Sequence, residues 1–175
     1  MNLTLIGMAG AGKSYIGKPL AEHLGLELID NDILLAEAHG KGIQSILDEL
    51  GEESYLEEEA RTLIESTKGK DGLIIAPGGS IIYRDDAMDH VKDISAIIYI
   101  KVPYETVESR LRDLPPRAII GLGRKTLREL YDERHPLYEA NADLVVEPDK
   151  LSSDQLIGKV LDFLGVDRKP SPDNL

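Results

Sequence analysis

The stretch from Gly7 to Ser14 reads GMAGAGKS, with glycines at 7, 10 and 12 followed by Lys13 and Ser14. It fits the phosphate-loop pattern G-x-x-x-x-G-K-[ST]. Glycines let successive backbone N–H groups curl around an anion, and a helix opening at the lysine adds partial positive charge. In such a loop the lysine reaches the β- and γ-phosphates of a nucleotide, and the hydroxyl stands on Mg²⁺. Gly10, Ala11, Gly12, Lys13, Ser14 and the adjoining Tyr15 are therefore candidate nucleotide-binding residues, Lys13 also a catalytic one and Ser14 also a metal ligand. An apolar run at 3–6 precedes the loop and a helical pattern follows it, the strand–loop–helix context that the motif requires. The motif alone does not separate a kinase from a GTPase or an ATPase motor. No guanine-specific Asn-Lys-x-Asp segment occurs, and 175 residues are too few for most motor architectures.

A second group of residues could serve the acceptor of a phosphoryl group. Asp30 and Asp32 are two apart at the end of a predicted strand, so in an extended chain both face the phosphate loop. A kinase needs a carboxylate there to orient the attacking hydroxyl; the competing reading is a helix N-cap by Asn31 or Asp32. Gly78 and Gly79 would allow a ligand close to the backbone, or merely turn the chain after a strand. Arg134 carries a planar fork suited to a carboxylate, or pairs at a helix surface with Glu133 or Asp132.

The elements that must hold these groups alternate in type. Strands are expected at 3–6, 26–29, 73–76, 95–102 and 144–146; helical patterns at 13–24, 33–38, 43–66 with a break at Gly51, 87–91, 104–114 and 153–164. This is an α/β chain with a parallel sheet covered on both faces. Residues 1–166 read as one domain, and 167–175, with two prolines and charges, as a loose tail. Pro19 should kink the first helix or tighten a turn without ending it. A net charge of −12 argues against nucleic acid and anionic membrane as partners. Disulfides and thiolate sites are excluded by the lack of cysteine. The four histidines are scattered and expected at the surface or at helix ends. With no signal peptide and no apolar run of membrane-spanning length, the expectation is a cytoplasmic monomer acting on a small molecule.

The order of these motifs resembles the shikimate kinase family from about residue 2 to 164. The resemblance is carried by the phosphate loop, by Leu28 to Asp32, by Pro77, Gly78, Gly79 and Ser80, by Arg110 and Arg117 around a Pro-rich stretch, and by Glu133 to Tyr138. It implies a P-loop kinase fold with five parallel strands in order 2-3-1-4-5, ATP and Mg²⁺, a small hydroxy-acid acceptor, and a place in aromatic amino acid biosynthesis. By the same match Asp30 lies near Mg²⁺ and Asp32 grips the acceptor hydroxyl. Arg110 packs on adenine, and 114–124 is a lid whose Arg117 neutralises transition-state charge. Gly78, Gly79 and Arg134 hold the acceptor. Arg124 is a further candidate for phosphate contact by position. Lid closure would expel water that competes as a phosphoryl acceptor.

Two departures stand out. Ser80 replaces the third glycine that the family usually has. The family's Phe-Arg-x-x-Glu segment is here Tyr55, Leu56, Glu57, Glu58 and Glu59, so Leu56 stands where a carboxylate-binding arginine is expected. Losing such a charge-assisted bond costs about 1.5–3 kcal/mol. Glu59, one turn on, is left without the partner it would brace, and if it turns inward it should repel an anionic acceptor. Arg84 or Arg128 could substitute; Arg61 lies about 140° around the helix and is discounted. The other readings are a kinase for a polyol or a hydroxy amino acid, with Glu59 on the ammonium, and a regulatory ATP-binding module.

Overall fold

Leu3–Ile6 (β1) is buried at every residue, as a strand covered by helices on both sides must be. The computed structural model describes residues 1–166 and sets β1 at the centre of a five-stranded parallel sheet. The helices are α1 (Lys13–Leu24), α2 (Asn31–His39), α3 (Ile43–Leu50), α4 (Glu52–Thr67), α5 (Asp85–Ile94), α6 (Tyr104–Asp113), α7 (Leu127–Asn141) and α8 (Ser153–Leu164). The other strands are β2 (Glu27–Asp30), β3 (Leu73–Ala76), β4 (Ala96–Ile100) and β5 (Leu144–Val146), in sheet order β2-β3-β1-β4-β5. This is the expected P-loop kinase topology. The tail expected at 167–175 lies outside the described residues.

Register brings the functional loops to one edge. Leu3 pairs with Ile74 on one side and Ala96 on the other, while Asp30 lies opposite Ala76. The chain leaves β1 into Gly7, β2 into Asn31 and β3 into Pro77 at the carboxyl ends of the strands, where open α/β sheets bind their ligands. Gly17 lets α1 lie on this sheet. A Cβ there would meet Leu28 Cδ1 at 2.9 Å and Leu5 Cδ1 at 3.2 Å. The helix runs unbroken through Pro19.

Two local expectations need correction. The cap of α2 is Asp30, whose Oδ1 accepts from the backbone N–H groups of Asp32 (3.0 Å) and Ile33 (3.3 Å), not Asn31 or Asp32. The histidines are all partly exposed, His23 and His39 in the last turns of α1 and α2, while His90 is hydrogen-bonded to Thr67 (2.8 Å) and His135 to Tyr99 (2.9 Å). Finally, α7 is a helix that apolar periodicity does not announce. Its buried stripe is Leu130, Arg134 and Tyr138, so an arginine interrupts the apolar pattern and Pro136 adds a breaker. A capping box between Thr126 and Glu129 starts it.

A small apolar cluster separate from the main core joins α2, α3 and α4 to the 114–124 segment. It contains Leu35, Ile46, Tyr55 and Ile120, with Leu47, Leu56 and Ala118 packed against it. Among the described residues no helix is long and apolar enough to cross a membrane.

Candidate active site

A cavity of about 780 Å³ opens at the sheet edge. Its floor is the phosphate loop. Gly10 and Gly12 have φ of 78° and 92°, a left-handed backbone that only glycine adopts cheaply. Lys13 Nζ donates to the carbonyls of Gly7 (2.9 Å) and Met8 (3.1 Å), which places the ammonium across the loop mouth. Burial lowers its pKa, while Asp32, Asp30 and Glu59 oppose that shift. Such a lysine gains from a phosphate partner.

Asp30 has two roles. One oxygen caps α2; the other accepts from the Ser14 hydroxyl. Helix capping and a contact with the Ser14 hydroxyl therefore coexist in one carboxylate. Ser14 and Asp30 offer only hard oxygen donors beside a phosphate loop, a set that suits Mg²⁺ with waters and phosphate completing its shell.

Asp32 lines the same cavity. Burial raises its carboxyl above the ordinary range; Lys13 pulls it back and Asp30 pushes it up again. A raised carboxylate is a better proton acceptor for an alcohol. Arg117 is also on the cavity wall, with its Nε buried and without a hydrogen-bond partner. Its charge acts on both Lys13 and Asp32.

The turn after β3 is held from below. Tyr138 of α7 donates to the Gly79 carbonyl at 2.6 Å. A Cβ on Gly78 would fall 1.8 Å from Glu59 Oε1, and one on Gly79 would fall 3.1 Å from the Ala9 nitrogen. Both glycines are thus fixed by close approach. Ser80 is buried and opens a short 3-10 turn, Ile81–Tyr83.

Glu59 faces inward, lining the cavity at 2% exposure. Burial pushes its carboxyl up to about 8, with Asp32 adding to the effect and Lys13 and Arg134 opposing it. Burial thus favours its neutral form, which weakens the expected repulsion of an anion.

Arg134 is buried, at 1% exposure, so the helix-surface ion pair does not form. Its Nη2 donates to the Ile120 carbonyl (2.6 Å) and its Nε to Tyr83 Oη (3.1 Å). It is near enough to act on Glu59, yet it is not among the cavity-lining residues. Arg124 does not reach the cavity either; it pairs with Glu52. Of the possible substitutes for an arginine at 56, Arg84 pairs with Asp86, and Arg128 with Asp132 while lying 4.7 Å from the Tyr104 ring centroid. Leu56 itself packs on the apolar cluster that joins α2, α3 and α4 to the 114–124 segment.

Arg110 Nη1 donates to the carbonyls of Gly10 and Ala11, both at 3.1 Å, bracing the loop at the cavity edge. Tyr15 lies on the rim at 83% exposure. Sequence reasoning missed the wall beside Arg110, formed by Asp113, Pro148, Asp149, Leu151, Ser152 and Ser153. The signal was available: 148–153 follows β5 at the same strand-end edge.

Comparison with known proteins agrees with this geometry. The shikimate kinase family model matches residues 9–165. A shikimate kinase of Persephonella marina is 32% identical over 160 residues, covering 91% of this chain and 96% of the relative. Among solved structures, shikimate kinase from Acinetobacter baumannii in complex with shikimate has a TM-score of 0.80 at 30% identity, covering 93% of this chain and 92% of that one. The Bacteroides thetaiotaomicron shikimate kinase has a TM-score of 0.79 at 25% identity, covering 95% of this chain and 99% of that one. The chain therefore belongs to the shikimate kinase family, ATP-dependent phosphotransferases with an alcohol acceptor.

Proposed function

We propose that this protein transfers the γ-phosphoryl group of ATP to a hydroxyl of shikimate. The observation that carries the reading is the junction of two half-sites in one cavity, a complete phosphate loop against Asp32, Gly78, Gly79 and Glu59. The relatives favour this hydroxy acid over a polyol, a hydroxy amino acid or a non-catalytic module.

ATP would lie with its phosphates on the N–H groups from Gly10 to Ser14 and its adenine toward Arg110 and the 148–153 wall. Ser14 and Asp30 would hold Mg²⁺, which when bound neutralises charge on the phosphates. Asp32 accepts the proton of the acceptor hydroxyl as its oxygen forms a bond to the γ-phosphorus. The bond from that phosphorus to the β-bridging oxygen breaks, giving ADP and a phosphate ester. Lys13 and Arg117 stabilise the charge that spreads over the transferring group. Arg117, as part of the 114–124 lid, excludes water once ATP is bound. Arg134 sits one hydrogen bond below the lid and would meet the acceptor carboxylate when the Ile120 carbonyl releases it. A monomer in the cytoplasm suits such chemistry, since every group named comes from one chain.

The test is ADP release with ATP and Mg²⁺ against a panel of small hydroxy acids, polyols and amino acids. ADP release that depends on shikimate and exceeds that with the amino acids and polyols is expected. Release driven best by a hydroxy amino acid, or by no acceptor at all, would overturn the assignment.

A further inference from the structure

Glu59 is a buried ionisable group with a missing partner. Its Oε2 is buried without a hydrogen-bond partner, and its Oε1 lies against Gly78 at the cavity wall. Buried polar atoms are nearly always satisfied, and exceptions point to a ligand or a functional role. Among the described residues no arginine is hydrogen-bonded or ion-paired to the Glu59 carboxyl. Leu56 has no donor, Arg134 is committed to Tyr83 and Ile120, and Arg61 lies outside with Glu58 and Glu65.

The ionisable groups that face Glu59 come from three other elements and its own. They are Asp32 on α2, Lys13 on α1, Arg134 and the Tyr138 phenol on α7, and the Tyr55 phenol on α4. An ionised Glu59 would stand beside Asp32 with a third anion, the acceptor acid, arriving between them.

We propose that Glu59 meets the acceptor acid as a neutral carboxylic acid and donates its proton as a hydrogen bond to an acceptor oxygen, in place of the guanidinium that Leu56 cannot supply. This makes Glu59 a specificity-determining residue that binds acceptor only in its protonated form. It rests on the reading of shikimate as the acceptor. A carboxylic acid offers one strong O–H donor where a carboxylate offers none.

The sign of the linkage follows. Burial raises the Glu59 carboxyl to about 8, so the donor is present below that pH and lost above it. KM for shikimate should then rise by about tenfold per pH unit beyond that point. Asp32 acts in the opposite sense and on a different constant. Its ionisation supplies the base, so it raises kcat with pH. Lys13 touches the nucleotide and the transferring group, so its ionisation enters through kcat and KM for ATP and not through KM for shikimate.

The experiment measures kcat and KM for shikimate from pH 6.5 to 9.5 in the wild-type chain and in Glu59→Gln. Calorimetric titration of wild type with shikimate at pH 8.5, in two buffers of different ionisation heat, counts protons taken up. Wild type should show the rise in KM and take up a proton on binding. Glu59→Gln, whose amide donates at every pH and never ionises, should lose the rise. A flat wild-type KM with robust turnover, or a glutamine profile parallel to the wild type, would overturn the proposal and leave the acceptor assignment standing. Proton uptake needs only wild type, so misfolding of the variant does not shelter the idea. Absence of shikimate phosphorylation at every pH is a different outcome, and overturns the acceptor assignment together with this inference.

Discussion

The donor and acceptor halves of the cavity are built to different standards of completeness. On the donor side the groups of the phosphate loop have their counterparts, and the buried Nε of Arg117 is the exception. Lys13 lies across the loop carbonyls, Ser14 meets Asp30, and Arg110 braces Gly10 and Ala11. On the acceptor side a carboxyl is buried without a partner at Oε2, Arg134 is turned to the Ile120 carbonyl, and an apolar side chain occupies the position of an expected arginine. The difference follows from assembly. Phosphates are held by consecutive backbone N–H groups, so their site is a contiguous motif with little freedom to vary. The acceptor site is collected from α2, α4, the β3 turn and α7, and each piece can change alone.

The sharpest break of that contrast is at the donor side. Lys13→Ala should lower kcat by at least about 10²–10³-fold, because the ammonium serves the transferring phosphoryl group. The melting temperature should stay close to that of wild type, since Lys13 bonds only loop carbonyls. Near-normal turnover in a folded variant would remove the donor half from the argument. Arg117→Ala comes next, with a loss of about 10–100-fold in kcat and a smaller change in KM for ATP, because its charge matters most as the phosphoryl group departs. An effect confined to KM for ATP would make Arg117 a binding residue instead.

The same contrast explains what could be read from the chain. The phosphate loop and the pair Asp30 and Asp32 were legible because turn chemistry and apolar periodicity act locally, whereas the strand order came from the family resemblance. Leu56 was recognisable as a departure only against the family pattern, being in ungapped register with its neighbours. The ionisation state of Glu59 was not legible, since it depends on burial and on Asp32 arriving from another helix. Arg134 is a second case. A lone arginine reads as a surface residue until Tyr83 and Ile120 are folded around it. The 148–153 wall was missed because nothing in its composition marks it, only its position after the last strand.

Two substitutions sharpen the acceptor side. Gly78→Ala would drive a methyl group to 1.8 Å from Glu59 Oε1. The clash should cost about 1–3 kcal/mol of stability and raise KM for shikimate by about tenfold or more while KM for ATP changes little. Equal damage to both constants would mean that the two halves are not separable. Leu56→Arg acts in the other direction. The new guanidinium would stand within one turn of Glu52, Glu53 and Glu59, beside a second cavity of about 370 Å³ that gives it room. One charge-assisted bond to the acceptor is worth about 1.5–3 kcal/mol, part of which is offset by breaking the contacts of Leu56 with the apolar cluster. An increase of several-fold in kcat/KM for shikimate is expected. No increase would show that the neutral acid at 59 already fills the role.

The smallest effect expected is at the seam between the halves. Glu52, at the first turn of α4, accepts from the Gly121 N–H at 2.7 Å and pairs with Arg124. These contacts tie the end of the 114–124 segment to the acceptor-side helix, next to the Ile120 carbonyl that holds Arg134. The ion pair is half exposed and contributes little, since such pairs are worth about 0–1 kcal/mol. The hydrogen bond to a backbone N–H is the larger part, about 1 kcal/mol. Glu52→Ala should therefore speed hydrogen exchange at the Gly121 amide by roughly fivefold and leave the sheet amides unchanged. If the tie also gates Arg134, KM for shikimate should shift by a similar small factor while kcat holds. Unaltered exchange at Gly121 would mean that the lid is held by Ile120 in its apolar cluster, and that the two halves meet through packing alone.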